Sequence, residues 1–131
     1  MGIFDAGSPF HGEFSSTDAS SLSEANARFT LYKAGKAGND SFTLSSDQQV
    51  VITDIQIMAS VALTLTLFDG ADSVSTSGEI VAQGDFGAGG GLTISLQTPH
   101  FCQKGTYPKV ATDAAGQIDA FIHGVILNDI N

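Results

Sequence analysis

From residue 27 onward, apolar and polar side chains alternate with a period of two, the pattern of strands with one buried face. In ARFTLYKA, Phe29 and Leu31 share one face while Arg28, Thr30 and Tyr32 share the other. After the turn cluster GKAGND, the segment SFTLSS resumes the alternation with Phe42 and Leu44. VVITDIQIMAS places Val51, Thr53, Ile55, Ile57 and Ala59 on one face, opposite Asp54 and Gln56. ALTLTLFDG sets Leu63, Leu65 and Leu67 inward and Thr64 and Thr66 outward, closing at Asp69-Gly70. A short strand follows at Glu79 to Ala82, then LTISL with Leu92, Ile94 and Leu96 inward. Pro99 ends regular pairing there, because proline lacks the amide donor that a central strand needs. TYPKVAT holds a strand around Val110, and DAAG turns into QIDAFIHGVIL, which is apolar on both faces. A strand of that kind is central, or its outer face meets a partner. Roughly eight short strands between turn signals predict one all-β domain, a sandwich or small barrel, over residues 27–131.

The first 26 residues follow neither periodicity and are rich in Ser, Gly and Asp. Ser23-Glu24-Ala25-Asn26 could close a short helical turn. Yet the segment carries Ile3, Phe4, Phe10 and Phe14, and solvated tails are poor in such groups. Residues 1–26 therefore read as an extended arm whose aromatic anchors dock on another surface or on the chain's own domain. Docking of Ile3, Phe4, Phe10 and Phe14 on a neighbouring subunit, or on the surface of a larger assembly that the protein joins, is the sharper expectation. It implies that a chain lacking residues 2–16 still folds.

Composition narrows the partners. Five Lys and Arg against fourteen Asp and Glu give a formal charge of −9. So few cations cannot neutralise a run of phosphates, which excludes nucleic acid as a partner and disfavours anionic membranes. No apolar run approaches the ~20 residues that span a bilayer. MGIFDAGSPF lacks the basic start of a secretion signal, which predicts synthesis and residence without export. The single cysteine, Cys102, permits no internal disulfide.

Candidate chemistry is sparse. Gly87, Gly89, Gly90 and Gly91 cluster as in a phosphate loop, but a strand follows them where such a loop needs a helix N-terminus. They turn the chain. His100 and Cys102 are two zinc ligands of the four a structural site wants, and His11 and His123 lie far off in sequence. Asp69 to Asp72 lacks the acids of a calcium loop. No nucleophile elbow surrounds any serine. Tyr32 and Tyr107 could serve a sugar platform, though tryptophan is absent. The expectation is a protein with no catalytic, cofactor or metal site.

The span from VVITDI and LTLTLFDG through GGGLTISLQTP and CQKG to AAGQIDAFIHGVIL resembles a jelly-roll domain of tailed-phage virion proteins. These are the decoration or cement proteins on the outside of icosahedral heads. The resemblance implies a jelly-roll β-sandwich without catalytic activity, a homotrimer, and the major capsid protein as partner. It places the protein on the outer surface of the capsid after synthesis in the host cytoplasm. Related jelly-rolls act in tails and fibres as host-recognition or carbohydrate-binding modules, the alternative role. Phe121 and Val125 become possible trimer contacts if Ile118, Ala120 and Ile122 face the core.

Overall fold

A computed structural model of the chain describes residues 8–20, 22, 24–33, 41–69 and 79–127. Ile3 and Phe4 lie outside them. The described residues form nine strands and one helical turn: β1 (Ser8–Ser16), α1 (Glu24–Ala27), β2 (Thr30–Lys33), β3 (Ser41–Phe42), β4 (Gln49–Ala59), β5 (Leu63–Asp69), β6 (Glu79–Phe86), β7 (Gly90–Phe101), β8 (Pro108–Thr112) and β9 (Ile118–Leu127). No helix among them is long and apolar enough to cross a membrane.

The strands make two antiparallel sheets, one ordered β3-β2-β1-β9-β4-β7 and the other β6-β5-β8. The fold is an all-β sandwich. Of the links from β4 to β9, only β5–β6 stays within a sheet; the others cross between sheets. Beside β8, Arg28 bridges Lys109, and the Phe29 amide donates to the Pro108 carbonyl at 3.0 Å. The core between the sheets buries Phe10, Phe29, Leu31, Ile52, Ile55, Leu65, Leu67, Ile118, Ile122 and Ile126. On the outer side of the smaller sheet Phe68 and Lys109 are buried as well, where α1 packs against β8, while Ile80, Gln83 and Asp85 stay exposed.

The N-terminal segment corrects the sequence reading. Over residues 8–16 it is no arm but β1, paired along its length with Ile118–Ile126 of β9 and on its other edge with β2. Phe10 and Phe14 are buried in the chain's own core, and the Phe14 ring lies 5.8 Å from that of Phe29. Rings enclosed this way cannot anchor the chain to a neighbour. The boundary placed at residue 27 falls away with them, since β1 is an inner strand of the larger sheet.

Two strands depart from simple alternation. The β4 register shifts between Ile52 and Asp54, so Val50 and Ile52 face the core before the bulge and Ile55, Ile57 and Ala59 after it. Val51 and Thr53, expected inside, belong to the other face. Pro99 does not end pairing either. Residues 96–99 have no partner in β4, and the ladder resumes with His100 opposite Ile52 and Phe101 opposite Val51. A proline is tolerated there because β7 is an edge strand. The glycine cluster does turn the chain: the Gly90 amide donates to the Gly87 carbonyl at 2.9 Å, and Gly89 has φ of 73°. That left-handed conformation is open to glycine at little cost.

Candidate functional site

Two places in the sandwich concentrate polar or exposed apolar groups. The first is the outer face of the six-stranded sheet. Because side chains alternate along each strand, positions paired across neighbouring strands line up in rows. One row runs Tyr32, His11, His123, Asp54, Ser95. His11 stacks on Tyr32 with ring centroids 5.0 Å apart, lies 6.2 Å from the His123 ring, and places Nε2 3.3 Å from Glu13 Oε2. Asp54 accepts from the Thr53 hydroxyl at 2.8 Å and from the Ser95 hydroxyl at 2.9 Å. These hydrogen bonds, Thr53's first, hold the Asp54 carboxyl below the usual carboxylate range, and His123 adds to the effect.

Apolar groups flank this row. Met58 and Phe101 stand 45% and 55% exposed, large fractions for such side chains. A cleft of about 340 Å³ lies beside Met58, with Gly90, Gln117 and Asp119 in its lining. Phe121 pairs with Glu13 and Gln56, and Val125 with Pro9 and Val51, so both belong to this outer face, each half-buried. β9 lies between β1 and β4, as its apolar sequence led one to expect of a central strand, and its outer-face residues are half-covered by their neighbours there.

The second place is buried at one end of the sandwich. Asp69, the last residue of β5, is fully enclosed. Its Oδ2 lies 3.4 Å from His100 Nε2 and accepts from the Gln103 amide at 3.1 Å. Its Oδ1 is buried without a hydrogen-bond partner, the one such side-chain atom among the described residues. Cys102 is also fully buried, and ligand atoms of Asp69, His100 and Cys102 all lie within 4.8 Å of one another. The Cys102 backbone is fixed to β4: its amide donates to the Val50 carbonyl at 2.9 Å, and its carbonyl accepts from Gln49 Nε2 at 2.7 Å.

The structure thus joins residues that spacing along the chain kept apart. His11 and His123 are register partners, and Asp69 meets His100 and Cys102 from the opposite sheet. Alternation carries the signal for the first pair once β1 is recognised as a strand. Nothing in the local sequence marks Asp69, which closes an apolar strand like any turn-initiating aspartate. Tyr32 and Tyr107 have different surroundings: Tyr32 stacks on His11, while Arg28 covers the Tyr107 ring at 4.4 Å and Tyr107 Oη accepts from the Leu44 amide at 2.8 Å. Comparisons with protein-family models, curated proteins and solved structures find no match to this chain.

Proposed function

We propose that this chain is a structural virion protein without catalytic activity. In this reading it decorates the outside of a tailed-phage head as a homotrimer, binds the major capsid protein and stabilises contacts between capsomers. The observation that carries the reading is the strand order. β1-β9-β4-β7 stacked on β6-β5-β8, with every link from β4 onward but one crossing between sheets, follows jelly-roll connectivity. The Arg28–Lys109 bridge holds the remaining strand position beside β8. A jelly roll is the fold implied by the resemblance of GGGLTISLQTP and AAGQIDAFIHGVIL to phage decoration domains.

The surface supports an assembly role. The outer face of the larger sheet presents Met58 and Phe101 to solvent beside half-buried Phe121 and Val125. Apolar groups of this size gain by burial against a partner protein. The net charge of −9 favours a protein partner over nucleic acid. A fold hosts many functions, so the deciding measurement is made on particles. Quantitative mass spectrometry of purified virions should find this chain at a copy number comparable to that of the shell protein. A handful of copies per particle indicates the tail or fibre role instead, and absence from particles overturns the reading.

A further inference from the structure

We propose that Asp69, His100 and Cys102 form a binding site for a borderline-soft divalent cation, with zinc the best fit, that ties the two sheets together at one end of the sandwich. The proposal stands apart from any role on a virus particle.

Three observations point to a cation. Asp69 is fully buried, and one carboxylate oxygen has no hydrogen-bond partner while the other faces His100 Nε2 and the Gln103 amide. Buried polar atoms are almost always satisfied, so an orphaned carboxylate oxygen calls for a partner such as an ion or an ordered water. The surrounding groups are themselves metal donors, a thiol and an imidazole, gathered with the carboxylate within 4.8 Å. Finally, the donors come from both layers: Asp69 ends β5 of the smaller sheet, while His100 lies in β7 of the larger and Cys102 just beyond it.

The donor set selects among metals. Calcium and magnesium take oxygen shells, and this site offers a single carboxylate. Sulfur, nitrogen and oxygen together suit zinc, which binds tetrahedrally with bonds of about 2.0–2.3 Å. Tetrahedral ligand atoms then lie roughly 3.3–3.8 Å apart, so the 4.8 Å envelope closes onto an ion with side-chain adjustments of about an ångström. Charge balances as well. On binding, Cys102 releases its thiol proton to solvent, and thiolate plus carboxylate neutralise a divalent ion in a buried site. The His100 side chain is 18% exposed, which leaves the fourth position accessible to water. Because Cys102 is fully buried, the constellation does not present a nucleophile to a macromolecular substrate.

The test uses the full-length protein stripped with chelator and titrated with zinc or cobalt. Expected are about one ion bound per chain, a thiolate-to-cobalt charge-transfer band in the near ultraviolet, and a rise in melting temperature with zinc. Cys102→Ser should abolish the band, and Asp69→Asn should weaken binding by more than the roughly 10–100-fold typical of losing a supporting group. Asp69→Asn keeps the side-chain shape, so its metal-free melting curve shows whether it folds. If it unfolds, His100→Ala, at a partly exposed position, supplies the same comparison. The proposal is overturned if the wild-type protein binds no cobalt or zinc at micromolar concentration. A cobalt spectrum without a thiolate band overturns it equally, since that would assign the ion to surface groups such as His11 and His123.

Discussion

Phe10 is 1% exposed and Phe14 5%, and both rings are enclosed by the chain's own sheets. Removing such a ring forfeits its transfer energy and leaves a cavity, about 3–5 kcal/mol for Phe→Ala. Phe10→Ala should lower the unfolding free energy of the isolated protein by that amount, read as a lower denaturant midpoint at unchanged slope; an unchanged midpoint would revive the docking arm. A second residue-scale prediction concerns acid. The Asp54 carboxyl titrates below its ordinary value of 3.8 because Thr53 and Ser95 donate to it, with His123 close by. A depressed carboxyl stabilises the fold fully above its unfolded value, and that contribution is lost as pH falls through the folded one. Asp54→Asn should therefore be less stable than wild type near neutrality, with the gap narrowing between about pH 5 and pH 2. Urea midpoints across that range test it, and a gap independent of pH would refute the charge argument. The effect should be modest, since Asp54 lies on the outer face of the sheet.

At the scale of elements, alternation was legible wherever it ran unbroken, as in Leu63, Leu65 and Leu67 of β5. β1 hid because its middle inward position is glycine: a Cβ at Gly12 would lie 2.8 Å from Ile122 Cγ1. Phe10, Gly12 and Phe14 are one buried face with its central side chain supplied by β9. The β4 phase failed for another reason. A bulge adds a residue that no hydrophobic pattern announces, and it exchanged Val51 and Thr53 with Val50 and Ile52. The Asp69 cluster was illegible because Asp69 lies 31 positions from His100 in sequence and meets it and Cys102 only when the sheets stack. The place of β1 reverses the expected effect of truncation. Deleting residues 2–16 removes the partner of both β2 and β9 and uncovers a central hydrophobic strand. The product should be unfolded or aggregated, as judged by loss of the cooperative thermal transition and of near-ultraviolet circular dichroism. A truncated chain that melts cooperatively near the wild-type temperature would show β1 to be dispensable.

For the molecule as a whole, the placement of β9 changes the grounds for trimerisation. Flanked by β1 and β4, its outer-face residues Phe121 and Val125 are half-buried beside their strand neighbours, which leaves each of them less to gain from a partner. Among the described residues on the outer face of the larger sheet, the apolar groups with the most to gain from association are Met58 and Phe101, each about half exposed. Each such side chain fully buried from water contributes on the order of 1.5–3 kcal/mol, and an already half-covered ring contributes less. Association must offset the lost freedom of the subunits, so the proposed trimer needs several such contacts per interface, and charges placed there are costly. Met58→Asp and Phe101→Asp alter exposed positions outside the core and should leave the melting transition close to wild type. In light scattering at micromolar concentration, the wild type should give the mass of a trimer and the double variant that of a monomer. A wild-type monomer under those conditions would refute a trimer that forms in free solution. A double variant that still trimerises would show that the interface lies elsewhere on the sandwich, away from the outer face of the larger sheet.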